Sequence, residues 1–598
     1  MRLRRRQQQG AARLRFADRK SGDGRHGDLD AREADVSARL DRRSLLFAGG
    51  AAALFPWLPA WAQPVSAGLP AVGGDDIRLT IARQMLHVDG KMRHAIGING
   101  TVPGPLVRLK EGQTARIHVT NELDEDSSIH WHGLILPFQM DGVPGLSFPG
   151  IAPGKTFTYE FPVRQAGTYW YHSHSGLQEQ LGHYGPLVID PAGDDPAPHD
   201  REHVVVLSDF SALHPHVIFK KLKQMGGYFN RQKQTLADLL SGEGQPLGER
   251  AAWGAMRMDP TDISDVTGST YSYLVNGHGP ADNWTALFAP GERVRLRFVN
   301  ASAMTTFNLR IPGLKMTVVQ ADGQDVRPVP VDELQIAVAE TYDVIVSPED
   351  RAYTLVGESV DRSGMARATL APRAGMTAPV PPLRPRPLAT MKDMGMGGMD
   401  HGAMGHGSGG DSAKMNHKMR DLSLAPTVAD TPTVQSISPM PMDRTGEPGQ
   451  GLEDVPGALT YRDLAALHRN PDTRAPTRRM QIHLTGNMER YMWAFDGVKL
   501  NEVKEPIPFT QGERVRVTLV NDTMMAHPIH LHGHFFELVT GKGDHAPRKH
   551  TVNVQPGGTV TFDLTADAYG DWAFHCHLLY HMHAGMMQVV TVRPEEAA

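Results

Sequence analysis

Gly512–Asn521 reads GERVRVTLVN, and two other stretches share its frame: GERVRLRFVN at Gly291–Asn300 and GQTARIHVTN at Gly112–Asn121. In each, arginine follows the glycine by four residues and asparagine by nine. Apolar and polar residues alternate between these marks, the period of a strand with one buried face. Comparable runs lie at Thr156–Phe161 and Thr559–Leu564, behind the Pro-Gly turns Pro153-Gly154 and Pro556-Gly557. Short strands punctuated by Gly and Pro indicate β-sandwiches, and a pattern met three times indicates a threefold internal repeat. The reading is an all-β chain with sandwiches at 75–195, 200–372 and 476–595. Inside the second, Val217–Leu240 is expected to be a short helical or looped insertion.

Between the second and third repeats the composition changes. Prolines cluster after Gly375, and then come Met391, Met394, Met396, Met399, His401, Met404, His406, Met415, His417 and Met419. The Met/His run has no large branched apolar residue to build a core, so 373–475 is expected to be a flexible Pro- and Met/His-rich linker. Thioethers select Cu(I) among the common ions, which makes these ten residues candidates for Cu(I) delivery.

The first residues read as an address. Arg42-Arg43 precede an apolar run from Leu45 to Leu58, and Ala60-Trp61-Ala62 offers a cleavage site before Gln63. Residues 1–62 are therefore expected to be a twin-arginine signal region, with periplasmic delivery of a folded protein. The true start could lie downstream, at Val36. No other apolar run approaches the roughly 18 residues of a membrane span, so the mature form is expected to be soluble. A net charge of −5 gives no reason to expect nucleic acid or a membrane surface as partner.

The chemistry lies in four His-x-His pairs: His130/His132, His172/His174, His530/His532 and His575/His577. On a strand, residues i and i+2 share a face, so each pair aims two imidazoles one way. His130 and His530 each lie nine residues after the repeat asparagine. His172 and His575 each lie five after a glycine, Gly167 and Gly570. The first and third repeats thus carry the same pairs at the same positions, and facing each other they would pool eight imidazoles. The second repeat has Leu309 and Ile311 at the first pair's positions and reads as a spacer.

Cys576, the only cysteine, sits between His575 and His577 and must face the opposite side of the strand. His527, His581 and Met586 lie close by in sequence. A cysteine, two histidines and a weak axial methionine make a blue-copper electron-transfer set. In the first repeat, Ser173, Ser127 and Gln178 occupy the places of Cys576, His527 and His581.

At HWHG (130–133), HSH (172–174), HPIHLHGH (527–534) and HCHLLYHMHAGMM (575–587) the chain resembles the multicopper oxidases. The resemblance spans about Asp75 to Arg593 and implies three cupredoxin-like Greek-key sandwiches holding four copper ions. Carried over by position, His527, Cys576, His581 and Met586 would hold one type 1 copper. His130 and His530 would hold a type 2 copper, and His132, His172, His174, His532, His575 and His577 a type 3 pair. Electrons would pass from a reducing substrate through Cys576 to dioxygen, which becomes water. Asp141 matches an acid that assists protonation in the family, whereas Met582 stands where some bacterial relatives carry a second one.

The stretch HWHGLILPFQMDGVPG, the leader and the Met/His run are similar to the periplasmic copper-resistance oxidases (the CopA type). Three functions compete on the sequence: a cuprous oxidase, a copper-sequestering protein, and a laccase-like phenol oxidase. Dioxygen and Cu(I) or another small reductant are the expected partners, and other periplasmic copper proteins are candidates.

Overall fold

The computed structural model describes residues 68–242, 244–396 and 419–595; the expected signal region lies outside them. The three repeat strands, Thr114–Asn121, Val294–Asn300 and Arg514–Asn521, each occupy an inner position in one sheet of a sandwich. On one side each pairs parallel, with Asp76–Val88, Arg201–Ser211 and Arg478–Asn487 respectively. On the other side each pairs antiparallel, with Thr156–Pro162, Thr341–Val346 and Gly558–Thr565. A second sheet of five strands completes each sandwich.

The repeated residues have physical roles. Gly112, Gly291 and Gly512 open the strands with φ of 91°, 88° and 79°, a left-handed turn that suits glycine. The arginines reach acids on the antiparallel neighbour: Arg116 to Glu160, Arg295 to Asp343 and Arg516 to Asp563. Each asparagine is fully buried, and its amide nitrogen donates to two carbonyls. These are Glu125 and Ile151 for Asn121, Thr305 and Ile336 for Asn300, and Met525 and Val554 for Asn521. These two hydrogen bonds fix the loop leading to the histidine pair in the outer sandwiches.

One apolar cluster fills the first sandwich, with Ile77, Leu79, Val107, Trp131 and Leu187 at its centre. A second runs continuously through the other two sandwiches. The insertion of the second sandwich holds helices Pro215–Gln224, Leu236–Ser241 and Leu247–Ala255. No helix among the described residues is long and apolar enough to cross a membrane.

The expected linker is ordered differently from the reading of its composition. Among its described residues, Ala389, Met394, Leu459 and Leu464 are buried in the large core. Ala425, Val428, Val434 and Ile437 form a small cluster of their own. Met442–Asp443 adds to the third sandwich beside Gly558–Thr565. The chain here is a strap with little regular structure, held by scattered apolar residues that the prolines and the Met/His run obscured. Met399, His401, Met404, His406, Met415 and His417 lie outside the described residues.

Candidate metal centre

Strand pairing brings the histidines together. His130–His132 runs antiparallel to Gly167–His172, with His130 opposite His172. In the third sandwich His527–Leu531 runs antiparallel to Gly570–Cys576, with His530 opposite His575 and Ile529 opposite Cys576. The two sandwiches meet on these faces. His130 stacks on His532 with ring centroids 3.9 Å apart, and His132 on His530 at 3.8 Å. Such mutual exchange is what a pseudo-twofold joint produces. His577 lies 4.9 Å from both His132 and His172, and His174 lies 5.1 Å from His532 and 5.2 Å from His575. All eight predicted imidazoles therefore converge.

Their nitrogens sort into groups that a metal ion would fit. Ligand atoms lie within 4.8 Å of one another in His130/His132/His530, in His132/His172/His577 and in His174/His532/His575. The outward nitrogens are held by the protein. His130 Nδ1 donates to the Asp141 carbonyl and His530 Nδ1 to the His550 carbonyl, both at 2.7 Å. His532 Nδ1 donates to Asp141 Oδ2 at 2.8 Å, and His172 Nδ1 donates to the Ser173 carbonyl at 3.1 Å and lies 2.8 Å from Glu179 Oε2. His132 Nε2 reaches Thr551 Oγ1 at 3.2 Å. Facing inward, Nε2 of His130, His172, His174 and His530, Nδ1 of His132 and both nitrogens of His577 are buried with no hydrogen-bond partner. Buried polar atoms are rarely left unpaired, and second partners that fix the tautomer are the usual setting of metal-bound histidine. Burial, reinforced by the neighbouring imidazoles, pushes His132, His172, His174, His530, His532 and His577 well below the ordinary histidine range. Burial takes His575 down to about 4. These rings are neutral bases, the form that binds metal.

Across the strand, Cys576 Sγ lies 3.5 Å from His527 Nδ1 and 3.9 Å from His581 Nδ1, and those two nitrogens are 3.2 Å apart. The far nitrogens are again occupied: His527 Nε2 donates to Thr523 Oγ1 at 2.8 Å and His581 Nε2 to Asp265 Oδ2 at 2.6 Å. Met586 is fully buried, and its carbonyl accepts the Cys576 amide at 3.1 Å. Burial pushes the Cys576 thiol up; a cation among these three atoms would reverse that by binding the thiolate.

Asp141 touches both outer sandwiches' pairs, since its Oδ1 also lies 3.4 Å from His130 Nδ1. Of the methionine run, Met394, Met396 and Met419 line a cavity of about 30 Å³ whose floor includes Asp522 and Thr523. Met391 packs against the large core. The sequence reading missed Asp265, Thr523, Glu179, His550 and Thr551. Thr523 lies four residues before His527 and Glu179 five after His174, but nothing in the sequence connected Asp265 to His581.

Comparison with known proteins agrees with this geometry. The multicopper oxidase family models match residues 80–194, 249–374 and 473–596. A copper resistance protein A homolog from Pseudomonas syringae pv. tomato is 50% identical, over 89% of this chain and 95% of its own. Copper resistance protein A of Escherichia coli is 47% identical, over 93% and 99%. Among solved structures, the iron-import multicopper oxidase Fet3p aligns with a TM-score of 0.60 at 20% identity, over 88% of this chain and 91% of that one, a likeness of fold.

Proposed function

The chain belongs to the multicopper oxidases, and from that premise we propose that it is a periplasmic cuprous oxidase of copper resistance. It would oxidise four Cu(I) to four Cu(II) while one dioxygen and four protons become two waters. In this reading His527, Cys576, His581 and Met586 hold one resident copper and His130 and His530 a second. His132, His172, His174, His532, His575 and His577 hold two more. When bound, these ions supply one-electron transfer and dioxygen reduction.

The chain's own residues supply the rest. Cys576 is bonded through the backbone to His575 and His577, so the sulfur and the histidine cluster are joined covalently. Asp141 orients His532 through Oδ2, and its buried Oδ1 has no hydrogen-bond partner. That oxygen is placed to hold a proton beside the cluster.

The methionine-lined cavity carries the choice of substrate. It is bounded by Met394, Met396 and Met419, and Thr523 joins it to His527 Nε2. About 30 Å³ accommodates an ion or a water, far below the roughly 300 Å³ at which pockets for organic ligands begin. His527 and His581 have no exposed surface, and Trp493 stacks on His581 at 3.8 Å. These features favour a soft metal ion over a phenol at the electron entry. The relatives' names, the leader sequence and the methionine run support copper resistance and export by the twin-arginine route.

The test is oxygen uptake by the copper-loaded protein with Cu(I) as sole reductant, beside a variant in which Met394, Met396 and Met419 become leucine. The expected result is rapid uptake, with a raised KM for Cu(I) in the variant. Tight binding of extra copper without uptake would favour sequestration. Faster uptake with a phenol, unaffected by the leucines, would favour a laccase-like role.

A further inference from the structure

The second sandwich places no histidine in the cluster among the described residues, yet one of its turns reaches it. Strands Met316–Ala321 and Gln324–Val331 pair antiparallel with Ala321 opposite Gln324, leaving Asp322-Gly323 as a two-residue turn. Their φ values of 47° and 71° are the left-handed pair that a tight hairpin requires, and Asp-Gly is a favoured sequence for it.

This tip is driven between the other two sandwiches. On one side it meets Gly167, the first residue of the strand that carries His172. A Cβ on Gly167 would come within 2.3 Å of the Gly323 carbonyl, so the backbones touch directly. On the other side Asp322 Oδ2 accepts the amides of His550 at 3.3 Å and Thr551 at 3.1 Å. Its Oδ1 accepts the Thr341 amide and pairs with Lys549 Nζ at 3.1 Å. Asp322 and Lys549 are both fully buried.

His550 and Thr551 are the residues that orient the cluster there. The His550 carbonyl accepts His530 Nδ1 at 2.7 Å. Thr551 Oγ1 lies 3.2 Å from both His530 Nδ1 and His132 Nε2. The carboxylate of Asp322 therefore fixes the backbone that fixes the two stacked rings, one from each outer sandwich.

We propose that Asp322 is a positioning residue for the copper held by His130 and His530, so that the ligand-free sandwich aims the oxygen-reducing site. This rests on the assignment of those histidines as copper ligands. Partners in this relation to a metal ligand commonly affect affinity or activity by about 10–100-fold.

The experiment uses the full copper-loaded chain and compares wild type with Asp322→Ala and Asp322→Asn. It reads copper per chain, the blue absorption of the Cys576 centre and the type 2 electron paramagnetic resonance signal. Asp322→Ala is expected to keep the blue band and lose most of the type 2 signal, with oxygen uptake down about 10–100-fold. Asp322→Asn retains one carbonyl for two sets of donors and is expected to show a smaller loss of the same kind. If the alanine variant does not fold, the asparagine variant decides alone. A full type 2 signal in the folded variants overturns the proposal, as does a blue band that falls in step with it, the sign of a purely structural role. A wild type that holds blue copper but no type 2 copper would instead overturn the ligand assignment.

Discussion

The first and third sandwiches use one address in two ways. In the third, His527, Cys576 and His581 surround a point where Sγ and two Nδ1 atoms face one another at 3.2–3.9 Å, and the buried Met586 holds the Cys576 amide through its carbonyl. In the first, Ser127, Ser173, Gln178 and His183 occupy the matching positions. There Gln178 Oε1 accepts from Ser127 Oγ at 2.8 Å and Ser173 Oγ at 2.9 Å, and Gln178 Nε2 donates to the Asp126 carbonyl at 2.9 Å. One set of atoms presents lone pairs to one another and calls for a cation. The other contains its own donors and acceptors and is nearly satisfied without one. The same strand geometry thus yields an electron-transfer site or a hydrogen-bonded plug, according to three or four side chains.

The largest expected effect comes from making the third sandwich resemble the first. Cys576→Ser should abolish the blue absorption and bring oxygen uptake to background while the histidine cluster, on the other face of the strand, still binds copper. Copper analysis and absorption spectroscopy on one preparation check both. Retention of the blue band would show that Cys576 is not its ligand.

A second asymmetry concerns Asp141, a residue of the first sandwich that serves a histidine of the third through the 2.8 Å bond to His532 Nδ1. Asp141→Asn keeps the shape and removes the charge. Oxygen uptake should fall about 10–100-fold with the blue band unchanged, as steady-state rates beside spectra would show. An unchanged rate would remove Asp141 from the mechanism.

The ligand candidates were legible because strand alternation turns His-x-His into paired imidazoles, and because the repeat marks put the pairs of two sandwiches in register. Even the plug could be read, since Ser173 and Gln178 keep the spacing of Cys576 and His581. The surrounding groups could not. Asp265 meets His581 from 316 residues away, and Asp322 meets Thr551 from 229. Both contacts depend on how whole sandwiches pack, which no local period encodes. The strap's buried residues were hidden for a related reason: Leu459 and Leu464 pack into the core of the other sandwiches rather than into a pattern of their own.

His183, in the place of Met586, sharpens the comparison through pH. Burial takes it from 6.5 down to about 3. Between those values the unfolded chain binds a proton that the folded chain refuses, so stability falls as pH drops below about 6.5, by up to about 1.4 kcal/mol per pH unit for one proton. His183→Met removes the group, so its melting temperature should decline less steeply from pH 6.5 towards 4 than that of wild type. An equal slope would mean that His183 is not held neutral.

The smallest effect should come from Ser173→Ala, the counterpart of Cys576→Ser. Ser173 Oγ donates to Gln178 Oε1 and accepts the Ser175 amide at 3.0 Å. Its loss leaves Gln178 Oε1 with Ser127 Oγ as donor, so that acceptor is not orphaned. The cost should be about 1 kcal/mol, the net value of an ordinary hydrogen bond, measurable by denaturant unfolding, with copper content and blue absorption unchanged. A loss of copper would mean that the plug supports the neighbouring His172 and His174 as well as filling its own site, and the two addresses would then differ less than their side chains suggest.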